Sequence, residues 1–409
     1  MKKLLSLIIC AVAVMNLITS CGSGSVAAPG DAEGWHAAWG AAIQPAGDDQ
    51  MPYEFSLKEN TCRQIITPTI SGGKLRLRLS NQHGSIPLII ESVHIAKAES
   101  LGSSRIDVST DTAVTFGGEA GITIDTGLTA ESDEIAFEAT ALEPLAVTIK
   151  FGKFVGSTPS CHATANTTCW IAQGDCVSDE VMPSGQTMSC FYYLAGLDVW
   201  AEAGKEVIVC LGDSITDGVG ASMDKNAAWP DKLAEHLNGE AAVINMGISG
   251  DNITGEWGIR SRLDRDVIDL PGVTYCMLMI GINDIGGSQE DITEKITADY
   301  KEVVERCHEK GIKVYACTMT PIKGSGYYSE LHEKIRAACN DFIKSGKGGF
   351  DGVIDMSASV EREDDPTQMK DEYNCPWGDF LHPGDAGYEV MGKLAYDKFI
   401  EFTRKQENK

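Results

Sequence analysis

The strongest constraint on how this 409-residue chain folds is a change of hydrophobic patterning near Trp200. Upstream, apolar residues recur at every second position. Leu75, Leu77 and Leu79 alternate with Lys74, Arg76 and Arg78, the pattern of a strand with one apolar and one wet face. Short runs such as GITID, EIAFEA and LAVTIKF follow, separated by Gly, Ser, Asp or Pro and without helical periodicity between them. Such a series predicts an antiparallel all-β sandwich. Downstream, apolar runs at 206–211, 241–245, 273–280, 312–318 and 352–356 alternate with amphipathic stretches such as ITEKITADYKEVVERCHEKG, which ends at Gly311. Strands separated by helices need crossover connections, and therefore a parallel sheet covered on both faces.

The chain opens with Lys2 and Lys3, followed by an apolar run from Leu4 to Ile18 that ends in Thr19-Ser20-Cys21. This is the composition of a signal peptide, too short for a membrane span. Its end resembles a bacterial lipobox, which implies cleavage after residue 20 and lipid on Cys21. Residues 21–34 are small and polar, as in a flexible tether. The expected organisation is signal 1–20, tether 21–34, β-sandwich 35–198 and α/β domain 199–409. The expected location is outside the cytoplasm on the bacterial cell envelope, with the membrane met only through the lipid anchor. With 34 Lys+Arg against 59 Asp+Glu, the net charge of −25 argues against nucleic acid as a partner. Of the thirteen cysteines, Cys161, Cys169, Cys176 and Cys190 cluster, and export makes disulfides plausible there. Cys210, Cys276 and Cys317 lie in apolar strands and read as buried thiols. No C-x-x-C occurs, so a structural zinc is not expected; no other metal and no cofactor is expected either.

Four short blocks carry the chemistry. Gly212-Asp213-Ser214-Ile215-Thr216, Asn245 to Asp251 and Ile280-Gly281-Ile282-Asn283-Asp284 each follow a predicted parallel strand, and Asp379-Phe380-Leu381-His382-Pro383 precedes the last helical pattern. Taken singly, each has a plain structural reading: a capping serine, turn glycines, a turn asparagine, a satisfied histidine. Together they point to one place, because sites in open α/β sheets form outside the carboxyl ends of the strands.

The four blocks GDSIT, NMGISGDN, GIND and DFLH resemble, in order, the signature of the SGNH (GDSL-type) hydrolase superfamily. The similarity extends over most of residues 200–400. The β-rich part resembles that of secreted bacterial members. The resemblance implies a flavodoxin-like three-layer α/β/α catalytic domain preceded by the all-β domain. It implies Ser214 as nucleophile, His382 as general base and Asp379 as its orienting carboxylate. The oxyanion hole would be the backbone N–H groups of Ser214 and Gly250 with the side-chain amide of Asn283. A G-x-S-x-G elbow is absent, which argues against the larger α/β-hydrolase fold.

The function expected is a serine esterase acting on small acyl esters, acetyl above all, of a plant polysaccharide such as xylan. One alternative is a broad arylesterase or lipase-like acylhydrolase. The other is a non-catalytic carbohydrate-binding lipoprotein, which the complete catalytic set disfavours. Asp213, Thr216 and Asp217 read as braces of the serine loop. His162, beside the cysteine cluster, reads as structural unless the two parts pack closely. Trp257, Trp377, Tyr327 and Tyr328 are divided between sugar stacking and core packing.

Overall fold

The computed structural model describes residues 34–202 and 204–407, the last four by their backbone alone; the signal segment, Cys21 and residues 21–33 of the tether lie outside the described residues. The N-terminal region is a sandwich of antiparallel sheets. One sheet runs in the order Gly34–Gly40, Leu194–Ala201, Gly72–Ser80, Thr129–Glu131, with Ile135–Ala139 also on Gly72–Ser80. The other is built around Asn60–Ile66, Leu145–Phe151 and Leu88–Lys97. Leu75, Leu77 and Leu79 are fully buried and share one core with Val93, Ile95, Val147 and Ile149 of the facing sheet. The alternation of 74–79 therefore does what its period demands. The expected wet face is only partly wet. Arg76 lies over the Trp35 ring at 4.2 Å, and Arg78 pairs at 3.2 Å with the buried Asp198. The reason is tertiary: Arg78 and Ser80 share a cavity with Met246, Arg265 and Leu270 of the α/β region.

The C-terminal region holds five parallel strands in the order Ala241–Gly247, Glu206–Gly212, Val273–Met279, Lys313–Cys317, Gly352–Ile354. This is the doubly wound 2-1-3-4-5 order. Val207 to Leu211 are all buried, as a strand covered on both faces must be. Trp229–Leu237 packs against Asp385–Glu407, and Thr293–His308 packs against Glu330–Lys344. The change of architecture falls between Ala201 and Glu206, just past the expected boundary at 198, because Leu194–Ala201 is still a full member of the β-sandwich. Among the described residues no helix is long and apolar enough to cross a membrane.

The two regions share a single core. Strand Gly34–Gly40 lies along the outer edge of the parallel sheet, where Ala241–Gly247 would otherwise expose unpaired backbone. Thr69 Oγ1 bridges that edge: it accepts from Val243 N at 2.9 Å and lies 2.9 Å from Ala38 O and 3.2 Å from Val243 O. Ala37 N donates to Pro271 O at 2.9 Å. Gly40 allows the contact, since a Cβ there would stand 2.5 Å from Met246 Cε and 2.8 Å from Ile244 Cγ2.

All eleven cysteines among the described residues are buried free thiols, so the cluster in which export made disulfides plausible holds none. Cys169 instead faces Cys62, with the sulfurs 3.1 Å apart.

Gly40→Val should wedge these surfaces apart at a cost of about 1–3 kcal/mol. Because one core spans both regions, calorimetry should show a lowered midpoint and still a single transition. A fragment beginning at residue 202 should fail to stay soluble, which expression and size-exclusion chromatography check.

Candidate active site

Strand Glu206–Gly212 ends beneath a one-turn helix, Ser214–Asp217, capped by Asp213, whose Oδ1 accepts from Ile215 N at 3.0 Å. The cap fixes the turn, and the turn lifts Ser214 off the carboxyl edge of the sheet. Gly247 makes room, because a Cβ there would lie 2.2 Å from Asp217 N. Ser214 Oγ stands 2.9 Å from His382 Nε2, and His382 Nδ1 stands 2.7 Å from Asp379 Oδ2. The three residues expected to act together are thus joined in one hydrogen-bonded line.

Asp379 and His382 belong to the tight turn that precedes helix Asp385–Glu407. Asp379 Oδ1 accepts from Leu381 N at 2.8 Å and His382 N at 2.9 Å, and Oδ2 accepts from Trp377 Nε1 at 2.8 Å. Burial opposes ionisation of Asp379, but these donors and the imidazole outweigh it and hold the carboxyl well below the usual range. An ionised Asp379 acts as an acceptor for Nδ1–H, leaving His382 Nε2 free to take a proton from Ser214.

Asn283 lies in the first turn of the short helix Ile282–Gly286 after the third strand, and Gly250 takes a left-handed turn with φ of 83°. Asn283 Nδ2 donates to Asp251 O at 2.7 Å, and its Oδ1 accepts from Tyr327 OH at 3.0 Å. Tyr327 thereby fixes which end of the amide carries the donors, and one Nδ2 hydrogen remains beyond the bond to Asp251. Asp284 holds the same loop through Ile253 N and Thr254 N, at 2.9 and 2.8 Å. Trp257, Trp377 and Tyr328 are exposed, the first by 86 %.

Two features have no signal in the sequence, and a third, His162, was expected to matter only if the two parts pack closely, as they do. Arg262, fully buried, sends Nε and Nη2 to Asp251 Oδ2 at 2.7 and 2.6 Å, Nη1 to Asp266 and Met246 O at 2.9 Å each, and Nη2 to Gly212 O at 3.1 Å. Burial opposes its charge, but Asp266 and Asp251 more than offset this and raise its pKa. No motif marks it; an arginine on a short amphipathic helix reads as surface. Tyr327 was assigned no role at Asn283. His162 reaches the serine helix: its Nε2 lies 3.1 Å from Asp217 Oδ1. Asp217 Oδ2 accepts from Ser249 N and Oγ at 2.8 and 2.6 Å, so Asp217 braces the serine loop as expected.

Burial, reinforced by the charges of Asp251, Asp284 and Asp217, pushes the Asp213 carboxyl up to about 7 against the bond from Ile215. A raised carboxyl pKa means that the folded protein favours the protonated form. Its stabilising contribution is full below the ordinary 3.8 and fades as pH rises through about 7. Asp213→Asn should therefore gain stability relative to wild type between pH 5 and pH 8 in urea denaturation. Arg262→Met leaves Asp251 buried without a counter-ion, while Asp266 keeps Arg265, and should cost about 3–5 kcal/mol in the same assay.

Residues 210–390 match the profile of the GDSL-like lipase/acylhydrolase family. No protein among those with curated functions matches the sequence. Among solved structures, a GDSL-like lipase from Bacteroides thetaiotaomicron VPI-5482 is 18 % identical, with a TM-score of 0.38 over 48 % of this chain and 88 % of its own. The acetyl xylan esterase AlAXEase is 20 % identical, with a TM-score of 0.37 over 47 % of this chain and 98 % of its own. An inhibitor-bound aryl esterase of M. smegmatis is 17 % identical, with a TM-score of 0.40 over 48 % of this chain and 99 % of its own. The α/β region of this chain, residues 210–390, belongs to the GDSL-like lipase/acylhydrolase family, and the protein is a carboxylic ester hydrolase.

Proposed function

We propose that this enzyme is an exported, lipid-anchored serine esterase that removes small acyl groups, acetyl first, from a polysaccharide such as xylan. The observation that carries the catalytic part is the unbroken line Ser214 Oγ, His382 Nε2, His382 Nδ1, Asp379 Oδ2, at 2.9 and 2.7 Å. Ser214 Oγ attacks the ester carbonyl while His382 Nε2 takes its proton. The oxyanion is received by the N–H groups of Ser214 and Gly250 and by the Asn283 amide. Collapse expels the alcohol, which leaves with the proton from His382, and an acyl-Ser214 remains. Water attacks that acyl group with His382 again as base, releasing the acid and restoring Ser214. Asp379 stays ionised throughout and steadies the imidazolium.

The polysaccharide reading is supported by the exposed indole faces of Trp257 and Trp377, which offer flat apolar surface to a sugar ring. The export reading is supported by the leader and the Ser20-Cys21 junction, so lipid on Cys21 would tether the enzyme to the cell envelope, facing outward.

The test is acetate release from acetylated xylan, with Ser214→Ala as the blank and 4-nitrophenyl esters of increasing chain length run alongside. Release by the wild type alone supports both nucleophile and polymer. Activity confined to the aryl esters would replace the polysaccharide reading with the arylesterase one. Inactivity on every ester would overturn catalysis and favour a carbohydrate-binding role. Asn283→Ala should lower kcat by about 10²–10³, since one oxyanion donor is lost. Globomycin treatment of a producing cell should block maturation of the precursor if Cys21 is lipidated.

A further inference from the structure

The β-rich region is joined to the serine loop by a chain of polar contacts that begins at a histidine, through an ion pair to Asp217. His162 is buried, 7 % exposed, at the end of strand Ser160–His162. Its Nδ1 lies 3.0 Å from Ala42 O, and its Nε2 lies 3.1 Å from Asp217 Oδ1. A carbonyl oxygen only accepts, so Nδ1 carries a proton. Nε2 then faces a carboxylate oxygen, which is satisfied only if Nε2 carries one too. The geometry therefore calls for an imidazolium. Asp217 passes the constraint on: its Oδ2 accepts from both Ser249 N and Ser249 Oγ. Ser249 Oγ, its hydrogen committed to Asp217, accepts in turn from Thr164 Oγ1 at 3.0 Å. Asn166, two residues further along the same segment, donates to Gly218 O at 3.0 Å. Ser249 is followed directly by Gly250, whose N–H is one of the three oxyanion donors of the reading above.

We propose that His162 is a positioning residue for ester hydrolysis: as an imidazolium between Ala42 O and Asp217, it locks Ser249 and hence the Gly250 N–H in place for the transition state. The β-rich region is on this account part of the catalytic apparatus. The inference rests on the esterase reading given above. The charged groups facing His162 are Asp217 and, farther off, Arg262. Burial and Arg262 disfavour its charge, while Asp217 and Ala42 O outweigh them and raise its pKa. The lock therefore holds on the acid side of that pKa and releases as pH rises through it.

The experiment compares wild type, His162→Gln and His162→Leu on 4-nitrophenyl acetate across pH. Rates are expressed per site labelled by a fluorophosphonate and counted by intact mass at end point, so that misfolded protein does not enter. His162→Leu should lower kcat by about 10–10²-fold with KM within twofold, the loss expected when an oriented donor drifts. His162→Gln, which keeps an amide donor for Asp217, should recover part of that loss. It should also lack the alkaline fall in kcat that the wild type shows. A kcat per labelled site within twofold of wild type for His162→Leu, an effect carried by KM, or the same alkaline fall in His162→Gln, would each overturn the proposal. If His162→Leu does not fold, the kcat and pH profile of His162→Gln decide alone. Failure of the esterase reading is separate: it shows as an inactive wild type, or as an active and labelled Ser214→Ala.

Discussion

The structure of this enzyme depends on a buried cation. Arg262 sits under the carboxyl ends of the two strands that lead into the Ser214 turn and the Gly250 loop, holding Gly212 O and Met246 O with its remaining donors directed to Asp251 and Asp266. Removing a guanidinium from water costs several kcal/mol and is tolerated only when its hydrogen-bonding fork is filled. Here two carboxylates and two strand-end carbonyls fill it. A single π turn over Asp264–Ile268 continues the helix Ile259–Leu263, and it brings Asp266 back onto Arg262 while Arg265 also reaches that carboxylate. Two cations on one carboxylate keep Asp266 ionised despite its burial. The positions of Ser214 and Gly250 relative to one another descend from this hub.

Around it, carboxylates replace the regular backbone pairing that loops lack. Asp213 takes Ile215 N, Asp217 takes Ser249 N, Asp251 takes Asn252 N, and Asp284 takes Ile253 N and Thr254 N. Each bond satisfies an amide that would otherwise be buried without a partner. Crowding four acids beneath one serine has a consequence, since desolvation, with repulsion from its neighbours added, raises the Asp213 pKa to about 7. The same acid side chains that shape the site thus link its stability to pH.

The β-rich region does more than sit beside the α/β region. It covers the sheet edge at Ala241–Gly247, shares its core, and sends His162, Thr164 and Asn166 onto the Ser214 turn and the Ser249–Gly250 loop. Each end of the active site has its own anchor: Asp379 is pinned by Trp377 and two turn amides, and Asn283 by Tyr327.

Much of this was legible beforehand. The period-two run at 74–79 fixed which leucines turn inward, and the strand–helix alternation after Trp200 called for a doubly wound parallel sheet. The position of the four blocks past the strand ends pointed to one place, and their resemblance to the SGNH signature implied Ser214, His382, Asp379, Gly250 and Asn283. Local chemistry suffices for the strand and helix readings, since strand period, capping and turn residues act within a few positions of one another. The tertiary structure alone decided the rest. It paired Arg78 with Asp198 on a face that was expected to be wet, opposed Cys169 to Cys62 rather than to its neighbours in sequence, and assigned Arg262 to the hub. It also brought His162 across to Asp217 over a separation of more than fifty residues. Contacts of that kind are set by how two surfaces meet, and a buried ion pair gives no periodic signal along the chain that makes it.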